Sequence, residues 1–407
     1  MAYTSLTKLY YQNEDVCQTE YQQRFNSPGS VRFGVIIQQY QRRNGYEAFL
    51  CYNNELIQLL QKIYTLKTEL LLLKKELPEV VIQQYILQCI TEEIKSTNDI
   101  EGVRSTRREI RAWLEKLPDT EKAPHLKSII EKYSTISEGA DIDFFSCRDI
   151  RRFYDEFALQ EVLKDEPNNA PDGIIFRKGM VEIQGSAIGK IIHQGLYPET
   201  AVIEAMEKAL QVLHDQELPM LLRIAVFHYL FAYIHPFYDG NGRMDRFISS
   251  YYLAKEFDAT VALRLSVVIK RRKNNYYKHF QEADSEINRG DLTPFCIYFL
   301  GCVEEAFEDT LAALKHKQQQ LIKYTAVLAK LRLTNKMLML YNHLLEAALF
   351  YGMGLTIKQL MGITGFSRVT VQKLLDSISP EDIIVSKVTK PYRYKLNLLC
   401  LHRLLAE

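Results

Sequence analysis

Tryptophan occurs once in this chain of 407 residues, and no apolar run approaches the roughly 18 unbroken residues that a membrane helix needs. The opening residues, Met1 to Lys8, lack the apolar stretch of a secretory signal. The chain therefore reads as soluble, unexported and cytoplasmic, with no membrane partner. Cysteines are few and scattered, at positions 17, 51, 89, 147, 296, 302 and 400, with no CxxC pair. An odd number so dispersed argues against a disulfide framework or a zinc site, and reduced thiols suit a cytoplasmic protein. Charge of one sign is lacking too. Lysine and arginine number 51 against 50 acidic residues, so nucleic acid or an anionic surface could only be met by a local patch. There is no fixed-period repeat and no low-complexity tract.

What is present is helical texture. Leu56, Leu59, Ile63, Leu66 and Leu70 recur at three- and four-residue steps, and the same period returns through Val81 to Ile94 and Val202 to Leu213. The fold class is mainly α, and the length calls for more than one core. Breaks fall at Lys164 to Gly173, at Gly352 to Gly354 and at Ser379-Pro380. The expected division is an N-terminal helical region over 1–90, a central core over 91–305, a connector helix over 306–332 and a small domain over 333–407. Residues 175–193 stand apart, because Ile175, Val181, Ile183, Ile188, Ile191 and Ile192 are β-branched and Gly185 and Gly189 interrupt them. They predict a short hairpin, the only strand signal before the C-terminal region.

The most informative segment runs from His235 to Arg246, between the apolar helix Leu221 to Ile234 and a second helix beginning near Gly242. A helix N-terminus offers unpaired amides and partial positive charge to an anion. Gly240 and Gly242 allow the backbone to present its N–H groups to a phosphate. Arg243 and Arg246, three residues apart, share a face on which two guanidinium groups can clamp phosphate oxygens. Asp239 supplies the hard oxygen that a phosphate-bound Mg²⁺ prefers, and His235 can accept a proton from an attacking hydroxyl at neutral pH. His228, on the same helical face as His235, reads as a packed core histidine.

This segment resembles the Fic family signature, HPFx[DE]GNGRxxR, at every defined position. The resemblance extends over about Glu92 to Phe299 and implies a Fic helical bundle with a short hairpin flap. It implies that His235 deprotonates a target hydroxyl and that Asp239 holds Mg²⁺, or Mn²⁺, on ATP. It also implies that Gly240, Asn241 and Gly242 cradle phosphate, with Arg243 facing the β-phosphate and Arg246 the γ-phosphate. Gly242 favours AMP transfer over phosphate transfer, since the phosphate-transferring branch has lysine at the equivalent place. The hairpin with Val181 and Ile183 matches the flap that docks an extended target, and Tyr277 matches a helix behind the nucleotide where it can line the adenosine pocket.

Upstream, Thr97 and Glu101 are four apart, so a helix puts them on one face, and Gly102 suits its C-cap. Together they resemble the family's inhibitory motif, [ST]xxxE[GN], in the branch with the motif ahead of the core. The resemblance implies that Glu101, on a helix near 91–102, pairs with Arg246 at the γ-phosphate position. Beyond Leu333, Thr356-Ile-Lys-Gln-Leu predicts an N-capped helix, Ser367 to Leu375 a second helix, and Ile383 to Leu396 a hairpin with Lys387, Lys390, Arg393 and Lys395. That order resembles a winged helix-turn-helix, whose Arg368, Thr370, Gln372 and Lys373 could meet DNA; the same fold also serves protein docking. Three functions follow from these resemblances: AMP transfer from ATP to a Ser, Thr or Tyr hydroxyl of a protein, this protein being one candidate target; hydrolytic removal of AMP at the same site; and nucleotide-sensing DNA regulation. A homo-oligomer is compatible with each.

Overall fold

Asn13 ends the first helix and starts the second. It separates α1 (Leu6–Gln12) from α2 (Glu14–Phe25), and its Oδ1 accepts from the backbone N–H groups of Asp15 and Val16. The structure, a computed structural model, describes residues 3–115, 126–184, 191–350, 354–387, 391–399 and 401. Next come antiparallel strands β1 (Ser30–Gln38) and β2 (Gly45–Cys51), with an irregularity between Arg32 and Ile36. These strands add a hairpin to the expected N-terminal helical region over 1–90 and correct the expectation of a single strand signal ahead of the C-terminal region. The period-two signal is there: Phe33, Val35 and Ile37 are buried while the residues between them face out.

Two long helices follow, α3 (Asn54–Lys75) and α4 (Glu79–Ile100), then α5 (Arg107–Leu114), α6 (Lys127–Glu138), α7 (Cys147–Phe157) and α8 (Leu159–Asp165). Capping boxes start α5, through Thr106 and Glu109, and α7, through Ser146 and Asp149. The expected flap hairpin consists of β3 (Glu182–Gln184) paired antiparallel with β4 (Ile191–Gln194). Its tip, including Gly185, Ile188 and Gly189, lies outside the described residues.

The centre of the bundle is built from α9 (Glu199–His214), α10 (Met220–Ile234) and α11 (Asn241–Glu256), with α10 packed against both of the others. Helix α10 is apolar nearly all round and is buried along its length, as such a helix must be. Phe227, Leu230 and Phe231 are fully buried there, and truncating such a phenylalanine to alanine costs about 3–5 kcal/mol. The short helices α12 (Ala259–Ala262) and α13 (Leu265–Arg271), then α14 (Lys273–Asp284), lead to the long α15 (Thr293–Lys330).

The N-terminal elements are fastened to this bundle. The Gln38 N–H donates to Tyr233 Oη at 2.9 Å, and Tyr233 Oη donates to the Ile36 carbonyl at 3.2 Å. Asp291 is fully buried and accepts from Tyr3 Oη at 2.7 Å, with the Arg24 guanidinium 3.3 Å from the same oxygen.

The chain divides into two compact units, Met1–Thr68 with Gln88–Glu308 and Glu69–Leu87 with Asp309–Glu407. In the second, α16 (Asn335–Phe350), α17 (Ile357–Thr364) and α18 (Arg368–Asp376) accompany a three-stranded sheet of order β5 (Leu355–Thr356), β7 (Arg393–Leu396), β6 (Ile383–Ser386). Leu340, Leu344, Leu360, Val371 and Leu396 share its core. A capping box between Thr356 and Gln359 starts α17, and Ser367 Oγ caps α18.

Candidate active site

The loop that joins α10 to α11 is shaped by its own backbone demands. His235 closes α10 in the left-handed conformation, φ 52° and ψ 64°, with its N–H on the Phe231 carbonyl. A residue with a Cβ resists that region by about 1 kcal/mol, so the surroundings must hold it there. Gly240 caps α11, also left-handed. Phe237 is fully buried and stacks on Tyr154 of α7 at a centroid distance of 3.7 Å, while Tyr154 Oη donates to the Asp239 carbonyl at 3.1 Å. Asn241, expected on a phosphate, has its side-chain Nδ2 donating to the Phe237 carbonyl at 2.8 Å and its Oδ1 accepting from the Phe237 N–H at 3.0 Å. It shapes the loop from within.

His235 is half-buried and lines a cavity together with Glu101, Asn241, Gly242, Arg246, Tyr277 and Ile183. Its Nδ1 lies 3.4 Å from the Ala232 carbonyl, which can only accept, so the proton sits on Nδ1 and Nε2 carries the lone pair. Burial first, then the neighbouring His193 and Arg177, push its pKa down to about 3. The imidazole is thus neutral at physiological pH. Tyr277 borders the same cavity, and burial and then Glu101 push its hydroxyl up to about 12, which keeps it protonated. Val181 does not line the cavity; its carbonyl accepts from the Gly195 N–H at 3.0 Å at the base of the hairpin. His228 is fully buried, with Nδ1 on Ser249 Oγ at 2.8 Å and Nε2 on Tyr276 Oη at 2.7 Å, so it is a satisfied core residue.

Both arginines of the loop are engaged by carboxylates. Arg246 is 1% exposed; its Nη2 is 2.6 Å from Glu101 Oε1, and its Nε donates to Thr97 Oγ1 at 2.9 Å. Helix α4 carries Thr97 and stops at Ile100, so Glu101 sits in the turn just past its end, ahead of Gly102 at φ +77°. The Glu101 carboxylate also presses on Gly242: a Cβ there would overlap Glu101 Oε1. A side chain at 242 would push the Glu101 carboxylate aside. Arg243 Nη1 lies 2.5 Å from Glu161 Oε2 of α8.

Sequence reasoning missed Glu161, and three other buried groups as well. Glu93, fully buried on α4, accepts from the Ser266 N–H and Oγ, and burial raises its pKa to about 7. It precedes Thr97 and Glu101 at helical spacing, a pattern the sequence already shows. His193, on β4, sits between Asp284, 3.0 Å from Nδ1, and the Tyr233 carbonyl, 2.8 Å from Nε2. Burial is the largest single influence and lowers the His193 pKa, but the Asp284 charge and the hydrogen bonds to Asp284 and Tyr233, both acceptors, together raise it. The third is Arg177, followed by Lys178 in the run Ile-Ile-Phe-Arg-Lys-Gly just ahead of the hairpin.

The family profile that describes the Fic/DOC family matches residues 145–253, which contain α7 to α10, most of α11 and the whole His235 to Arg246 segment. Residues 145–253 are a Fic/DOC domain. The protein adenylyltransferase Fic of Drosophila yakuba is 28% identical over 150 residues, covering 37% of this chain and 28% of that protein. That of Drosophila virilis is 25% identical over 227 residues, covering 54% of this chain and 43% of the relative. The protein adenylyltransferase fic-1 of Caenorhabditis elegans is 24% identical over 199 residues, 48% of this chain and 37% of its own. The chain thus spans less than half the length of these relatives. Among solved structures, a Fic family protein from Desulfovibrio desulfuricans G20 shares the fold with a TM-score of 0.53, 21% identity, and coverage of 85% of this chain and 97% of that one. Thr97, Glu101 and Tyr277 lie outside the Fic/DOC match and reach the site through α4 and α14. No helix among the described residues is long and apolar enough to cross a membrane.

Proposed function

We propose that this protein is an adenylyltransferase that moves AMP from ATP onto a hydroxyl side chain of a protein, itself included, and that Glu101 holds it in check. The observation that carries the reading is one cavity containing both a neutral His235 and the Arg246–Glu101 pair lodged at the start of α11. The adenylyltransferase names of the relatives point the same way.

In the proposed reaction the target hydroxyl oxygen bonds to the α-phosphorus as the bond to the bridging oxygen of pyrophosphate breaks, and its proton passes to His235 Nε2. Amides at the start of α11, with Arg243 and Arg246, stabilise the departing negative charge. Ile183 and the hairpin edge would align an extended target strand. Tyr277 would flank the adenosine. Among the described residues no cluster of three or more His, Cys, Asp or Glu side chains could cage an ion. Asp239 is exposed and its Oδ1 accepts from the Gly240 N–H, which suits a single carboxylate meeting Mg²⁺ or Mn²⁺ that arrives on the nucleotide. Such an ion, when bound, supplies positive charge to the phosphate oxygens.

The brake follows from occupancy. Two unit charges 4 Å apart attract by about 4 kcal/mol at an effective dielectric of 20, before desolvation. While Glu101 holds Arg246, the γ-phosphate cannot, and the α-phosphate is denied its in-line position. Hydrolysis of AMP from a modified protein is a second reading, favoured by the Glu101 carboxylate sharing a cavity with His235, where it could orient water. In the C-terminal unit, α17, α18 and the β6–β7 hairpin support a winged helix-turn-helix, with Arg368, Thr370, Gln372 and Lys373 on α18 as DNA contacts. Lys387, Arg393 and Lys395 would extend them; Lys390 lies outside the described residues. Intact mass of the purified protein after incubation with ATP and Mg²⁺ tests the central reading. A gain of one AMP mass supports it, and an unchanged mass in the Glu101→Gly protein would refute it.

A further inference from the structure

Arg177 is a fully buried guanidinium, and among the described residues it has no carboxylate partner. Among the described residues, its side-chain hydrogen bonds all go to backbone carbonyls. Nε donates to His235 O at 2.9 Å, Nη1 to Gly179 O at 2.5 Å, and Nη2 to Leu196 O at 3.0 Å and Ile234 O at 3.5 Å. Its own N–H reaches the Pro236 carbonyl at 3.3 Å. A buried charge without a counter-ion is costly unless dipoles surround it, and burial does lower the Arg177 pKa. The dipoles it uses are informative. Ile234 and its C-cap His235 provide carbonyls at the negative end of α10, and Leu196 lies two residues past β4.

The neighbouring backbone is fitted to this guanidinium. A Cβ at Gly195 would overlap Arg177 Nη2 and would lie 2.9 Å from His235 Cβ. The Gly195 N–H donates to Val181 O, and the Leu196 N–H donates to Ile234 O at 3.1 Å, so the two ends of the hairpin and the end of α10 meet around one side chain. The segment that carries Arg177 is fixed in turn. The Glu199 carboxylate accepts from the N–H groups of Ile174, Ile175 and Phe176, and Tyr238 Oη accepts from the Gly179 N–H at 2.8 Å.

We propose that Arg177 is a positioning residue that joins the target-docking hairpin to the left-handed His235 turn, so that the strand presenting the hydroxyl and the base receiving its proton are set as one piece. This rests on the transfer reading given above. Any movement of the hairpin relative to α10 must break carbonyl contacts to a buried cation, which stiffens the pair. A second effect is electrostatic. His235 faces Arg177 from the loop and His193 from β4, whose proton is held by Asp284 of α14; the Ala232 carbonyl faces it from α10, and the Arg246–Glu101 pair borders the same cavity from α11 and the end of α4. The Arg177 charge is one of the two cations that disfavour protonation of the base.

The test uses the full chain with Arg177→Lys, Arg177→Met and Gly195→Ala, each made in the Glu101→Gly background and in the wild type. Lysine keeps the charge but cannot span four carbonyls, and Gly195→Ala keeps the arginine but crowds it. All three should slow self-modification more than about tenfold while binding of a fluorescent methylanthraniloyl ATP stays within about threefold. Histidine NMR of the wild-type background should show the His235 imidazole titrating at higher pH in Arg177→Met and unmoved in Arg177→Lys. Arg177→Lys transferring at the parental rate would overturn the proposal. So would a folded Arg177→Met protein with an unmoved His235 titration, or parallel losses of nucleotide affinity and melting temperature in all three variants. Because the NMR measurement needs no turnover, an inactive Glu101→Gly parent would refute the transfer reading and leave the Arg177 result standing.

Discussion

Arg246 Nη2 lies 2.6 Å from Glu101 Oε1 although the two residues are 145 positions apart, and the arginine is almost wholly buried. The contact closes over Gly242, at the start of the helix where an anion would be expected. If it is a brake, Glu101→Gly frees both the guanidinium and the helix terminus. AMP transfer, followed by intact mass or by labelled ATP, should rise more than about tenfold, which requires only about 1.4 kcal/mol. Adding His235→Ala should silence it. A folded, ATP-binding Glu101→Gly protein with no gain on itself or on a lysate would remove the autoinhibition argument.

Arg246→Ala removes the partner of Glu101 as well, yet it should stay weak. The guanidinium is needed by the nucleotide, so ATP affinity should fall, and loss of the buried arginine's own contacts should lower the melting temperature, although the Glu101 carboxylate left behind is solvated. Thermal melting and nucleotide titration separate the two effects. Activity matching that of Glu101→Gly would show that Arg246 has no part in the reaction.

His235→Ala should abolish transfer and leave ATP affinity within about threefold, because the imidazole meets the incoming hydroxyl and not the phosphates. Asp239→Ala should instead weaken Mg²⁺-dependent activity and metal-nucleotide binding together. An unaltered Mg²⁺ titration in that variant would place the ion elsewhere.

The His235 pKa is depressed from 6.5 to about 3 by burial and by its cationic neighbours. The base therefore remains deprotonated across the neutral range, and the acid limb of the Glu101→Gly rate profile should fall well below pH 6.5. For stability the sign follows from proton uptake. Between pH 6.5 and about 3 the unfolded chain binds a proton that the folded chain refuses, so this group's contribution to stability is lost as pH falls through that window. Denaturation of wild type against His235→Ala, at pH 7 and pH 4.5, measures it: the wild type should lose more on acidification.

Should the C-terminal unit bind DNA, affinity must fall steeply with salt, since Arg368, Lys387 and Arg393 would displace counterions from phosphates. Fluorescence anisotropy with a duplex at increasing KCl measures the slope. Binding that is absent or insensitive to salt would favour protein docking.

The mainly helical class was legible because its period is written along α3, α4 and α9. The residues of the phosphate loop were legible because anion binding demands particular side chains at particular spacings. Arg177 was not, and the reason is physical: its partners are the carbonyls of Gly179, Leu196, Ile234 and His235, and every residue type offers a carbonyl. Glu161 escaped because its partner Arg243 is 82 positions away and the pairing depends on how α8 packs. In β1 the alternation was present, but Gly34 and the outward Ile36 blur a period-two reading. His193 looked like one more residue of a hairpin until Asp284 arrived beside it from α14.

The buried Asp291 carboxylate, which holds Tyr3 and Arg24, bears on how this protein can be cut for experiment. A fragment trimmed to residues 145–253, or one begun after Cys51, would strand an acid in the interior or discard it along with the start of α15. The same cut would leave the Tyr233 hydroxyl facing an emptied groove one residue before the turn that ends at His235. Expression boundaries for the first unit therefore belong upstream of Tyr3, and a protease site introduced between α2 and β1 should report, once cleaved, on the integrity of a turn roughly two hundred residues downstream.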